Sequence, residues 1–202
     1  MRIRLEEPKD YRRVETLTRE AFWNVYRPGC VEHFILHQLR KEPCFVPELT
    51  YVLEEKDEII AHIAYAQGTL VQFNGQRQAM LLFGPVSVLP AYQGRGYGSQ
   101  LIRFTLDKAA QLGYPAVVIT GNPAYYKRFG FVSASRYGMT MEGMTAEEAP
   151  FFMVKLLQRQ AAETLAGVYT DPACYQVEEA EVAAFDSTFP QKIKEVRPGQ
   201  LV

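Results

Sequence analysis

Between residues 96 and 112 the apolar side chains Leu101, Ile102, Phe104, Leu106, Ala109 and Leu112 fall on one helical stripe, and Gly113 follows as a stop signal. The spacing predicts a helix. Just downstream, Ala116, Val117, Val118 and Ile119 form an unbroken apolar run between Pro115 and Gly121, the pattern of a strand buried on both faces. A strand, a helical crossover and a second strand make a βαβ unit, so this run is expected to lie parallel to the strand that precedes the helix.

That preceding strand, residues 78–89, is the second arm of a hairpin. Residues 58–73 are a long apolar stretch rich in β-branched and aromatic side chains, closed by Asn74-Gly75, a strong signal for a two-residue turn. Gly84-Pro85 lies in the middle of the second arm, where proline cannot donate to the ladder, and predicts a break or bulge. Nearer the N-terminus the pattern predicts a short strand at 3–5 and a helix at 11–23 with Asp10 as its cap. A second helix at 31–40 and a strand at 49–54 follow. Beyond the buried strand it predicts a short helix at 122–128 and strands near 131–136 and 151–156. Antiparallel strands on both sides of a parallel pair give a mixed α/β sheet. From Gln158 the periodicity weakens to a short segment at 165–169 and an acidic stretch at 178–181.

The chain has 202 residues, 48% hydrophobic and 22% charged, which fits an ordinary globular protein. A formal charge of −1 gives no global attraction to nucleic acid or to an anionic membrane. No apolar run approaches the roughly 20 residues that span a bilayer, and Met1 to Glu7 turn charged where a signal peptide requires its apolar core. A cytoplasmic address is expected. Cys30, Cys44 and Cys174 are odd in number and widely spaced, without a C-x-x-C pair, and are expected to be three reduced thiols. His33 and His37 stand one helical turn apart, but no third ligand is evident and no metal is expected.

Chemistry concentrates at Gln93-Gly94-Arg95-Gly96-Tyr97-Gly98-Ser99, where a strand gives way to a helix. Residues without a Cβ let backbone amides converge on a ligand, and a helix's first turn adds unpaired N–H groups and partial positive charge. A phosphate is the natural guest. A nucleotide P-loop is disfavoured, because Ser99 stands where its second glycine belongs and no lysine follows. A dinucleotide fingerprint also fails, since Ser99 replaces its last glycine and the next strand ends in Ile119-Thr120 without a carboxylate.

The segment from Val86 through Pro90 to Gly98 resembles the acetyl-CoA signature of the GNAT N-acetyltransferases, a strand and a proline followed by Q/R-x-x-G-x-G/A opening a helix. Gln93, Gly96 and Gly98 match it position for position. Asn122-Pro123-Ala124-Tyr125-Tyr126 through Gly130-Phe131 is similar to a later motif of the same family. The resemblance covers residues 1–156, expected as a GNAT acetyltransferase domain, with 157–202 as a C-terminal extension packed on the same domain. A separate core is not expected from about 45 residues without metal or disulfide.

The resemblance implies a GNAT-like fold whose central parallel strands, through Val86 and Val118, splay apart to admit pantetheine. Val86, Ser87 and Val88 would pair with the pantetheine arm, and Gln93, Gly94, Arg95, Gly96, Tyr97, Gly98 and Ser99 would hold the pyrophosphate, with Asn122 also on the cofactor. The Val88 N–H would polarise the acetyl carbonyl, and Tyr126, second of the tyrosine pair, would be the acid. The family often places a glutamate on the strand entering the signature, but residues 80–85 contain none. His62, or Glu54 or Glu55 acting through water, is the candidate base, His62 for its side chain's range near neutrality. The implied activity is acetyl transfer from acetyl-CoA, without a metal, to a primary amine of a small molecule or peptide, by a monomer or homodimer. A non-catalytic acetyl-CoA sensor is the alternative.

Overall fold

The computed structural model describes residues 1–200. Its strands are β1 (Arg2–Leu5), β2 (Tyr51–Glu55), β3 (Glu58–Gln72), β4 (Arg77–Val88), β5 (Ala116–Thr120), β6 (Val132–Ser133), β7 (Met139–Met141), β8 (Phe152–Leu156) and β9 (Gly167–Thr170). The helices are α1 (Tyr11–Phe22), α2 (Glu32–Leu39), α3 (Tyr97–Gln111), α4 (Pro123–Tyr126) and α5 (Glu179–Asp186). The strands form a mixed sheet in the order β1-β2-β3-β4-β5-β8-β6, with β9 joined to both β3 and β7. The expected α/β mixed sheet and its parallel central pair are present: Leu81 pairs with Val117 and Leu82 with Val118. That parallel register comprises those two pairs, while β4 runs on to Val88 and β5 to Thr120. Gly84-Pro85 does not interrupt β4, and Gly84 takes φ +154°, which a side chain rarely permits.

Chain contacts divide the molecule into two compact units, with β3, β4 and α3 running through both. One comprises Met1–Ala64, Pro85–Leu101 and the chain from Ala173 onward. In it β2 pairs antiparallel with β1 and with the first part of β3, over a core of Val14, Leu17, Leu36, Leu39, Leu53 and Ile60. Asp10 stands at the N-cap position of α1, as the sequence suggested, but its side chain makes no capping hydrogen bond to that helix. Its carboxylate accepts two hydrogen bonds from the Arg4 guanidinium, at 2.5 and 2.9 Å, and one from the Glu7 amide. The side chain is thus committed to a charged partner on β1, with Arg4 holding the carboxyl below its ordinary range.

The C-terminal part of this unit is fixed to α1 and to the turn that follows it. Arg19, 2% exposed, pairs with Asp186 at 2.6 Å, and Trp23 donates its indole N–H to the Ile193 carbonyl. Asn24 sits in the left-handed region at φ 59°, which asparagine tolerates better than most residues. Its Oδ1 accepts from the Gly29 and Glu195 amides and its Nδ2 donates to the Ile193 carbonyl. The acidic stretch at 178–181 leads into a helix, α5, whose Phe185 ring packs at a tilt against His33, Phe34 and His37.

The second unit comprises Tyr65–Gly84 and Ile102–Pro172. Here β5 is flanked by β8 along its whole length, from Ala116↔Leu156 to Thr120↔Phe152, as its unbroken apolar run requires. The strand expected at 131–136 is cut to Val132–Ser133. A 3-10 turn, Ala134–Tyr137, replaces the rest and ends at Gly138 with φ 72°. The segment expected near 165–169 is β9, antiparallel to β3 and parallel to β7, so residues beyond 156 contribute to the sheet itself.

His33 is fully buried between Phe185 and Phe189, with Nε2 3.2 Å from Asp186 Oδ1. Burial lowers its pKa from the ordinary 6.5 to about 4, against the pull of Asp186. The native imidazole stays neutral while the unfolded one gains a proton, so its contribution is complete above pH 6.5 and is lost as pH falls toward about 4. Urea unfolding across that window should show a decline with a share from His33 of up to about 3 kcal/mol. His33→Phe should flatten the slope, and an unchanged slope contradicts the assignment.

Candidate functional site

The residues expected on the cofactor and at the reacting group fall in both compact units, residues 86–99 in the first and Asn122 and Tyr126 in the second. The first group begins on β4. Ser87 is fully buried, and its Oγ lies 2.9 Å from Thr18 Oγ1 of α1, so its side chain serves the packing of the helix and only its backbone remains for a ligand. Side chains alternate along a strand, which turns those of Val86 and Val88 to the opposite face, where both residues are half-buried. Backbone groups alternate in the same way. The Leu89 amide donates to Ile60 on β3 at 2.9 Å, so the amides of Val86 and Val88 face the other edge of the strand.

A short 3-10 turn, Pro90–Tyr92, carries the chain from β4 toward α3. The Gln93 side chain reaches back and donates to the Val88 carbonyl at 3.0 Å, tying the turn to the strand end. Gly94 and Gly96 have φ 75° and 87°, left-handed values that L side chains rarely adopt. Both are exposed, and a Cβ at either would meet nothing within 4 Å. These glycines are therefore required by backbone conformation and not by crowding. The Gly96 carbonyl accepts from Gln100 at 2.9 Å and opens α3. Amides in the first turn have no acceptor within a helix, so those of Tyr97 and Gly98 stand as donors at its positive end. Tyr92 donates its hydroxyl to Glu58 at 3.0 Å, and the Arg95 guanidinium lies 5.5 Å from the Tyr92 ring centre. The turn thus leads exposed backbone into the start of α3.

The second group lies at α4. Asn122 caps that helix: its Oδ1 accepts from the Ala124 amide at 2.9 Å, with Pro123 at the first helical position. The Asn122 carbonyl also accepts from the Tyr125 and Tyr126 amides, at 3.0 and 3.1 Å, so one residue organises the tyrosine pair. The Tyr126 ring is half-buried among Phe83, Tyr125, Phe129 and Phe131, at centroid distances between 4.9 and 6.2 Å. It lies across Gly121, where a Cβ would stand 2.5 Å from Tyr126 Cε2. The glycine before the asparagine thus sets the tyrosine's position, a constraint the sequence pattern did not disclose. Tyr125 is covered by Arg128, whose guanidinium is 4.6 Å from the ring centre.

His62, on β3, is fully buried, with Nε2 3.2 Å from Glu6 Oε1. Arg40 binds the same carboxylate at 2.5 Å and also contacts Glu15 at 3.0 Å, and Glu15 contacts His37 Nδ1 at 2.9 Å. Burial pushes the Glu6 pKa upward, but His62 and Arg40 outweigh it and hold the carboxyl below its ordinary range. A proton reaching His62 has to enter a closed ionic network. Of the other carboxylates considered, Glu54 is paired with Arg4 at 2.5 Å, which lowers its pKa. No cluster of His, Cys, Asp or Glu suited to a metal occurs among the described residues.

Residues 2–134 match the model of the acetyltransferase (GNAT) domain family. The chain is 29% identical to N-acetyltransferase YhbS of Escherichia coli K12 over 168 residues, covering 83% of this chain and 94% of that protein. A crystal structure of YhbS from Escherichia coli in complex with CoA superposes with a TM-score of 0.73 at 26% identity, over 86% of this chain and 91% of that one. A GNAT family acetyltransferase from Brucella melitensis in complex with acetyl-CoA superposes with a TM-score of 0.68 at 27% identity, over 87% and 97% of the two chains. The parallel β4–β5 pair, the left-handed glycine turn opening α3 and a match spanning most of the chain place this protein in the GNAT acetyltransferase family.

Proposed function

We propose that the protein transfers an acetyl group from acetyl-CoA directly to a primary amine of a small molecule or peptide. The observation that carries this reading is the turn at Gly94 and Gly96, which feeds successive backbone amides into the start of α3. The CoA and acetyl-CoA complexes of the two similar structures support it. In this reading the amides from Gly94 to Ser99 bind the pyrophosphate, and the outward edge of Val86 and Val88 pairs with pantetheine as an added strand would. The neutral amine attacks the thioester carbonyl, whose oxygen gains negative charge as the tetrahedral intermediate forms. The Val88 N–H donates to that oxygen and stabilises the charge. Collapse breaks the carbon–sulfur bond, and the Tyr126 hydroxyl gives its proton to the departing thiolate or hydrogen-bonds it. We assign deprotonation of the amine to water and not to His62, because that ring is closed in with Glu6 and Arg40.

Gly98 separates binding from folding in a test. Gly98→Val lies within α3 and asks for no left-handed backbone, whereas a side chain at Gly96 would strain the free protein at φ 87°. CoA at about 100 times its dissociation constant should stabilise the wild type by about 2.7 kcal/mol. Folded Gly98→Val should show no thermal shift with CoA, and a full shift rejects the pyrophosphate assignment.

Tyr126→Phe keeps the ring in its aromatic cluster and removes the hydroxyl alone. CoA affinity should persist while turnover falls by about 10²- to 10⁴-fold, the range for losing an acid–base group. Gly121→Ala should displace the same ring and lower turnover by about 10²-fold, as misplacement near 1 Å does elsewhere. Full activity in Tyr126→Phe removes the phenol from the mechanism. An amine screen that releases no CoA thiol from the wild type overturns the transferase reading itself.

A further inference from the structure

Two of the three cysteines, remote in sequence, are neighbours in the fold. Cys44 lies in the turn after α2, and Cys174 lies in the 3-10 turn Ala173–Tyr175, which packs against α2. Their side chains adjoin closely enough to act on one another, and both residues are half-exposed. Cys30 differs: it is buried, and its thiol donates to Glu32 Oε2 at 3.2 Å. We propose that Cys44 and Cys174 form a reversible redox pair, closed to an intramolecular disulfide by a small-molecule disulfide, which fastens the start of the C-terminal segment to the turn after α2.

The step balances as two thiol–disulfide exchanges. The Cys44 thiolate attacks one sulfur of the small disulfide, breaking its S–S bond and releasing one small thiolate. The Cys174 thiolate then attacks Cys44 Sγ in the mixed disulfide and releases the second. The protein sulfurs lose two electrons, the small disulfide gains them, and the two thiol protons end on the released thiols. Burial raises the Cys44 pKa and pushes Cys174 up to about 12, so both thiolates are scarce at neutral pH and exchange is slow in either direction. The mechanical consequence follows from what Cys174 precedes. Immediately downstream, α5 supplies Asp186 to Arg19 of α1, and the chain beyond it holds Asn24. A bond at Cys174 would anchor the beginning of the segment whose later part already grips α1.

The test uses the full chain, equilibrated with oxidised glutathione, quenched by alkylation and mapped by mass spectrometry without reduction. A Cys44–Cys174 peptide pair is expected, with Cys30 still open to alkylation after denaturation, and the pair should survive about a tenfold excess of reduced over oxidised glutathione. The oxidised protein should melt at a higher temperature than the reduced one, in wild type and in Cys30→Ser but not in Cys44→Ser or Cys174→Ser. Mapping on the wild type needs no variant to fold. Both thiols remaining alkylatable after prolonged oxidation, a bond that joins two molecules, or any pairing with Cys30 overturns the proposal. A disulfide that forms without raising the melting temperature overturns the fastening.

Discussion

Backbone N–H groups in the first turn of a helix have no acceptor within that helix, and this fold leads a left-handed glycine turn into such a start where β4 gives way to α3. The edge alternation fixed by Leu89 and Ile60 turns the Val86 and Val88 amides away from β3, and the left-handed glycines carry the chain into the first turn of a helix. No charged side chain has to be buried to hold an anion in such a place. The neighbouring details act in the same direction. Gln93 ties the turn to the Val88 carbonyl, while Ser87 spends its hydroxyl on Thr18 and so keeps α1 against the strand. Recognition by backbone donors, as proposed, constrains φ angles and strand edges more tightly than side chains, and Gly94 and Gly96 both take left-handed φ.

Polar groups elsewhere in the same unit show the opposite solution. Arg40, Glu6, Glu15 and His62 are almost wholly enclosed, and Arg40 meets the carboxylates of Glu6 and Glu15 within 3.0 Å, with the His62 ring 3.2 Å from Glu6. Such a network adds little net stability over an apolar core of the same shape, but breaking one member leaves an uncompensated charge. Arg19 and Asp186 repeat the theme between α1 and the C-terminal segment, so that segment is held by specific polar contacts as well as by the packing of Phe185 and Phe189 against His33. The helix pair α1–α2 is thereby braced from a part of the chain more than half its length away.

Strongly periodic elements were legible in the sequence. The α3 stripe, the unbroken β5 run and the Asn74-Gly75 turn need only local pattern, and the glycine-rich segment before α3 pointed to the family because few uses require glycines at that spacing before a helix. What escaped were outcomes set by distant partners. Asp10 is a good helix cap by type, but Arg4 captures its carboxylate. His62 reads as a titratable group in a strand, and only the fold brings Glu6 and Arg40 around it. The strand expected to reach residue 136 stops at Ser133 because the chain turns there toward Gly138, and α5 was hidden in an acidic stretch with little periodicity. Spacing argued for three reduced thiols, and all three cysteines are free, but it gave no sign that Cys44 and Cys174 meet. Likewise, the role of Gly121 is a steric fact about Tyr126 and has no signature in spacing.

The central claim is that backbone amides, and not a basic side-chain pocket, recognise the cofactor. Amide-resolved NMR during titration with CoA addresses it directly. The account predicts that the N–H resonances of Val86, Val88 and Gly94 through Ser99 shift as a group and gain protection from hydrogen exchange in step with binding. Saturation by CoA with those amides unmoved, and the perturbation centred on another part of the chain, would contradict it.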